Sequence, residues 1–283
     1  MSIKITKMQG CGNDFVILDY EEYKKTGLEL PELAKRLCNR NFGIGADGLI
    51  VPNTNCETAD IGWFFYNSDG TTAQMCGNGM RCFAKYVYEK GLVNKKEFAV
   101  KTLAGIITPK ICENGHVRVN MSKPILDSEK IPFIPVNNLN YKISVKNRIF
   151  EGNAVSMGNP HFVIFIKDDE DLLKLAKEYG PDIEISAEYP EKTNVEFIKI
   201  KSPKKIELCV WERGCGITLA CGTGACASVV AGILNGYLEN NVEVQLLGGN
   251  VTVEWLGSAE NPNKDVFLSG PAEFVFEAET LLF

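Results

Sequence analysis

A cysteine stands directly before a Gly-x-Gly turn at two places in this chain, in "MCGNGMRC" (Met75 to Cys82) and in "ACGTGACA" (Ala220 to Ala227). These two sites belong to an internal repeat, which constrains the fold before any local pattern does. With Cys76 laid on Cys221, Gly77, Gly79 and Gly91 fall on Gly222, Gly224 and Gly236. Upstream, "FYN" ending at Asn67 lies over "VWE" ending at Glu212. Downstream, "FAVKTLAGIIT" (from Phe98) resembles "VEVQLLGGNVT" (from Val242). "GNDFVI" (from Gly12) returns as "GNPHFVI" (from Gly158) with one residue inserted. The shared order and near-constant offset mark a tandem duplication, with halves at residues 1–120 and 121–263. "NMSKP" (Asn120 to Pro124) and "FLSGP" (Phe267 to Pro271) also correspond, so the tail, 264–283, repeats the junction between the halves.

Both halves read as strands around one helix, an α/β (α+β) arrangement of two similar domains. "IGWFFYN", "EFAVKTL", "HVRVNM", "HFVIFIK", "IELCVWE", "NVEVQLL", "NVTVEWL" and "DVFLSG" are short and rich in Val, Ile and aromatics, as strands are. Past Gly79, the residues Met80, Phe83, Ala84, Val87 and Tyr88 fall at helical spacing, with Arg81, Lys85 and Glu89 as a polar stripe. The matching stretch after Gly224, "ACASVVAGILN", is apolar nearly all round. A helix of that kind has to be enclosed on every side, and strands wrapped about it would do so.

Charge and spacing exclude several functions. A net charge of −6 argues against a nucleic-acid surface, because phosphate binding wants clustered Lys and Arg. No apolar run reaches the ~20 residues that span a bilayer, and the N-terminus lacks the apolar core of a signal peptide. A cytoplasmic location is therefore expected, without membrane or nucleic-acid partners. That compartment keeps thiols reduced, so the ten cysteines need a reading other than disulfides. Cys11, Cys38, Cys56, Cys112 and Cys209 read as small core residues. The Cys76/Cys82 and Cys215/Cys221/Cys226 spacings lack the close pairs of structural zinc sites, so no metal is expected. Neither glycine loop is followed by the Lys-Ser/Thr of a phosphate loop, so no nucleotide cofactor is expected.

A cysteine at a helix start is chemically distinctive. The first N–H groups of a helix have no internal partner and carry partial positive charge. A carboxylate can bind them, and a thiol placed there has its thiolate form favoured. Two such thiols, one from each half, suit inversion of a carbon beside a carboxylate. One removes the proton from one face and the other delivers a proton to the opposite face, exchanging roles in the reverse direction. The two helix starts would stabilise the enolate-like anion between the two steps.

At these residues the sequence resembles the diaminopimelate epimerases. "GNDFV", "GIGADGLI", "FYNSDGTTAQMCGNGMRC", "GNPHFV", "TNVEF" and "WERGCGITLACGTGACA" carry the resemblance, in order and over essentially the whole chain. It implies a cofactor-independent epimerase interconverting LL- and meso-2,6-diaminopimelate on the route to lysine and cell wall. The implied fold is two similar domains, each a strand barrel around a central helix, with the tail completing the first, and the expected assembly is a homodimer. Cys76 and Cys221 correspond to the catalytic thiols. Gly77 and Asn78, with Gly222 and Thr223, correspond to groups that bind the reacting carboxylate. Asn13, Asn67, Asn159 and Asn194 match ligand-binding asparagines, with Glu212 and Arg213 beside them, and His161 and Glu212 are expected to tune the thiols. Asparagine offers both hydrogen-bond types, and Arg213 suits a carboxylate bidentately.

Three positions depart from the family pattern. Cys215 and Ile217 stand where the family often has Ala and Glu, and Gly48 where many members carry a ligand-contacting Gln. Two alternatives remain open at this level. One is a two-cysteine racemase of proline or hydroxyproline, which the four asparagines and Arg213 disfavour. The other is a thiol-based redox or metal-binding protein.

Overall fold

The computed structural model describes residues 2–72 and 76–281; the "AQM" preceding the first cysteine lies outside them. The chain divides into two compact units, Met1–Val119 with Ser269–Phe283, and Asn120–Leu268. Residues 264–268, expected in the first domain, thus fall in the second unit.

In the first unit the strands run in the order Glu273–Thr280, Ile3–Gly10, Asn13–Ile17, Gly48–Asn53, Ile61–Asn67, Val100–Thr102, Gly105–Ile107. Two neighbouring pairs are parallel, Asn13–Ile17 with Gly48–Asn53 and Ile61–Asn67 with Val100–Thr102. Parallel neighbours need a crossover connection. The first crossover holds helices α1 (Tyr20–Thr26) and α2 (Leu30–Cys38), the second α3 (Gly77–Glu89).

The second unit repeats this plan. Pro160–Phe165 and Asn194–Ser202 are parallel across helix α4 (Leu172–Glu184). Lys205–Glu212 and Asn241–Leu246 are parallel across α5 (Gly222–Leu234). Antiparallel strands flank both pairs. The duplication read from the cysteine motifs is therefore present in the strand pairing of each unit.

Helix α5 behaves as its composition demands. Every residue from Gly224 to Gly232 is buried, packed against Arg148–Ser156, Pro160–Phe165, Asn194–Ser202 and Gly249–Trp255. Val229 and Val230 each contribute roughly 1.5–3 kcal/mol there. Three helices lie outside the one-helix-per-half expectation: α1, α2 and α4. In α4, Leu175, Ala176, Tyr179 and Ile183 are buried on one face and pack on the strands Asn194–Ser202 and Lys205–Glu212. Asp171 caps that helix, its side chain accepting from the Lys174 N–H at 2.9 Å.

Helix α3 corrects a second expectation. Arg81 is fully buried instead of belonging to an exposed polar stripe. Its guanidinium donates to the Pro271 carbonyl at 3.0 Å and to Asn78 Oδ1 at 2.8 Å, and reaches Cys11 Sγ at 3.8 Å. Lys85 donates to the Ala272 carbonyl at 2.9 Å. The two side chains fasten the C-terminal segment to the helix that begins at Cys76. Cys11, Cys38 and Cys209 are buried as expected, whereas Cys56 and Cys112 are only half-buried. Among the described residues no helix is long and apolar enough to cross a membrane.

Candidate active site

In the first unit, Cys76 is the N-cap of α3, in extended backbone conformation. Its sulfur accepts from the Gly79 N–H at 3.4 Å, taking the place a serine or aspartate oxygen usually holds at a helix start. The thiol also donates toward Asn13 Oδ1 at 3.8 Å. The same oxygen accepts from Asn78 Nδ2 at 3.1 Å, and Asn13 Nδ2 donates to Asp47 Oδ2 at 2.6 Å. Behind Asn13 stands a charge network. Asp14 pairs with Lys7 at 2.6 Å and with Arg40 at 2.8 Å, and Arg40 also meets Asp47 at 2.8 Å. Burial opposes ionisation of Asp14, but hydrogen bonds from Arg40 and Lys7 overcome it and hold the carboxyl down at about 2. Asn67 ends its strand and donates to Thr71 Oγ1 at 3.0 Å.

The second unit repeats the thiol and changes its support. Cys221 is the N-cap of α5 and accepts from the Gly224 N–H at 3.3 Å. Thr223 Oγ1 lies 3.5 Å from the sulfur. The thiol is buried. Burial pushes it well above the ordinary thiol value, the Glu212 and Glu196 carboxylates push it further, and Thr223 and the Gly224 N–H oppose them. Glu212 is itself raised, chiefly by burial, and accepts a hydrogen bond from Thr218 Oγ1.

His161 is fully buried, with Nδ1 at 2.7 Å from Glu196 Oε1 and Nε2 at 3.1 Å from Asn159 Oδ1. Both ring nitrogens are thus engaged, and no hydrogen bond from the ring to Cys221 accompanies them. Asn194 donates to the Pro160 carbonyl at 2.8 Å and accepts from the Arg213 N–H at 3.0 Å. The Arg213 guanidinium is exposed and donates to the Glu191 carbonyl at 3.0 Å.

Within the first unit Asn13, Asn78 and Cys76 therefore form one connected group. Within the second, Cys221, Thr223 and Glu212 form another, and Asn159 with His161 a third. At the helix starts, Gly77 and Asn78, and Gly222 and Thr223, occupy the first turn, where N–H groups are available to an anion. Burial likewise raises Cys38 and Cys82 to about 12 and Cys209 to about 11, but of the cysteines only Cys76 and Cys221 are helix N-caps among the described residues.

The departures have physical correlates. A Cβ on Gly48 would lie 2.8 Å from the Tyr66 carbonyl oxygen, so this backbone has no room for a longer residue. Ile217 pairs with Trp211 and packs on the core of the second unit, while Cys215 is exposed. Sequence reasoning passed over Glu196, Thr218, Asp14 and Asp47. Glu196 stands inside "NVEFIK", where alternation in a strand reads as a solvent-facing residue.

Comparison with known proteins places this geometry. The family model described as diaminopimelate epimerase matches residues 5–126 and 153–275. The diaminopimelate epimerase of Carboxydothermus hydrogenoformans is 47% identical over 285 residues, covering 99% of this chain and 100% of the relative. That of Desulfitobacterium hafniense is 46% identical over 288 residues, covering 99% and 98%. Among solved structures, a hydroxyproline epimerase from Agrobacterium vitis superposes with a TM-score of 0.70 at 12% identity, over 99% of this chain and 92% of that one. At that identity the likeness is one of fold.

Proposed function

The chain belongs to the diaminopimelate epimerase family, and from that membership we propose how its residues carry out the reaction. The enzyme is an isomerase that interconverts LL- and meso-2,6-diaminopimelate, in the biosynthesis of lysine. Inversion requires a weakly acidic α-hydrogen to leave one face of the carbon and a proton to arrive on the other.

Cys76 and Cys221 perform these two transfers. The observation that carries this assignment is their matched position: each caps a helix and accepts an N–H from the glycine three residues on. Whichever thiol begins as thiolate removes the proton, and the other supplies one. The N–H groups of the first turns, at Gly77 and Asn78 and at Gly222 and Thr223, receive the substrate carboxylate as negative charge develops. In other enzymes one such donor is worth about 3 kcal/mol of transition-state stabilisation.

Asn13, Asn67, Asn159 and Asn194, with Glu212 and Arg213, hold the remaining amino and carboxylate groups of the substrate. Glu212 tunes Cys221 through the negative charge it places near the thiol, and His161 acts through its hold on Asn159. The enzyme needs no cofactor, because two thiols of opposite protonation complete the proton balance of the reaction. It works in the cytoplasm, which keeps the reacting thiols reduced, and as a homodimer, an assignment carried by family membership alone.

The test is stereochemical. Purified protein with LL-diaminopimelate and no added cofactor is expected to yield the meso isomer on chiral chromatography. Absence of conversion, or conversion that appears only with pyridoxal phosphate or zinc, would contradict the proposal.

A further inference from the structure

Glu196 has no part in the chemistry just described, yet it occupies an unusual place. It sits in the strand Asn194–Ser202, fully buried, and faces the equally buried His161. Its Oε1 lies 2.7 Å from His161 Nδ1. Its Oε2 is buried without a hydrogen-bond partner among the described residues. The side chain also presses on the first turn of α5, where a Cβ on Gly224 would lie 2.7 Å from Oε1. A carboxylate in such surroundings is costly unless it is paired, and its partner is a ring whose second nitrogen points at Asn159.

The hydrogen-bond inventory limits what this row of three groups can be. An amide oxygen only accepts, so with Asn159 Oδ1 at 3.1 Å, Nε2 carries a hydrogen. Two arrangements satisfy that condition. Either the imidazolium donates to the Glu196 carboxylate, or a neutral ring accepts at Nδ1 from protonated Glu196. They hold the same protons and no net charge, and differ only in the position of one proton on the 2.7 Å line. A neutral pair also suits its neighbourhood, since Glu212 and Cys221 are close enough to feel Glu196. In both arrangements Glu196 fixes the ring, and the ring fixes which end of the Asn159 amide faces it.

We propose that Glu196 is a positioning residue for substrate recognition: through His161 it holds Asn159 with its amide N–H₂ turned toward the substrate, as a donor to a substrate oxygen. This rests on the reading that Asn159 binds diaminopimelate. Without Glu196 the ring loses its partner at Nδ1, so its Nε2 is no longer fixed as a donor and Asn159 loses a fixed amide orientation. The cost falls on binding, while the proton transfers at the thiols proceed.

The chain has two histidines, His116 and His161, so ¹⁵N-histidine labelling gives two rings, assigned with the His116→Gln protein. The wild-type His161 is expected to show a protonated Nε2 at neutral pH; a ring bare at Nε2 would overturn the proposal. In kinetics, Glu196→Gln and Glu196→Ala are each expected to raise KM about 10-fold for both isomers, with kcat changed less than about threefold. The Glu196→Ala/Asn159→Ala double variant should match the KM of Asn159→Ala alone, because Glu196 acts through Asn159. Multiplying effects, or an unchanged KM with a lowered thermal midpoint, would make Glu196 a structural residue only and sink the inference. If the wild type does not turn over diaminopimelate at all, the functional reading fails instead, and the labelled-ring result still decides the geometry.

Discussion

Burial and two carboxylates act together on Cys221, raising it far above an ordinary thiol, while Cys76 is half-buried and linked to Asn13. The two thiols therefore differ in surroundings despite their matched backbone positions. Replacing Glu212 with Gln removes a negative charge that disfavours the thiolate at Cys221, so that thiolate should form at lower pH. Iodoacetamide labelling of Cys221, followed by peptide mass spectrometry across a pH series, is expected to rise at lower pH in Glu212→Gln than in the wild type. An unmoved or alkaline-shifted curve would contradict the role of Glu212. Asp14 gives a second residue-scale prediction, on stability. Its carboxyl is held at about 2 in the folded chain, against ~3.9 when unfolded. A depressed acid stabilises the fold above its unfolded value and loses that stabilisation as pH falls toward the folded one. Asp14→Asn should thus cost about 2 kcal/mol at neutral pH, with the deficit shrinking between pH ~4 and ~2. Urea melts at several pH values check this; a deficit that persists at pH ~2 would mean packing and not charge.

Among the elements, α4 shows how tightly the second unit is built. A Cβ on Gly180 would come within 2.6 Å of Trp211 Cβ, and Trp211 donates to Glu184 Oε2 at 2.7 Å. Gly180→Ala should destabilise the chain by about 1–3 kcal/mol through overpacking, seen as a lower thermal midpoint. An unchanged midpoint would mean that α4 shifts freely on the sheet. Helices α3 and α5 were legible in the sequence because the repeat aligned them and their apolar spacing was plain. Helix α4 carries its own apolar face and the Asp171 cap, but no cysteine motif drew attention to it. Arg81 was misread for a different reason. Its acceptor at Pro271 is separated by most of the chain, and a local stripe of charges carries no trace of such a partner. Glu196 escaped because strand alternation assumes one wet face, whereas its strand is covered on both, by His161 and α5 on the side of Glu196 and by α4 on the other. The cysteines and glycines of the candidate site stood out because they recur at helix starts, where backbone chemistry restricts the residue types that fit, whereas the asparagines came only from the family resemblance.

At the scale of the whole molecule, duplication explains why one chain carries two helix-capping thiols of one kind, the pair we propose as acid and base. Each unit carries a parallel crossover that ends in a helix capped by a thiol. The units have since diverged in what stands behind the thiol. The first holds Asn13 with Asp47 and the Lys7–Asp14–Arg40 charges, and the second holds His161 with Glu196. The central claim is that each thiol serves one face of the α-carbon, and proton exchange in deuterated water tests it most directly. Cys76→Ala and Cys221→Ala are each offered LL- and meso-diaminopimelate, and deuterium at the α-carbon is followed alongside stereochemistry. Neither variant should epimerise, and the two should differ in which configuration at the α-carbon undergoes exchange. Epimerisation of both isomers at near wild-type rate by either variant would mean that a single base does all the work.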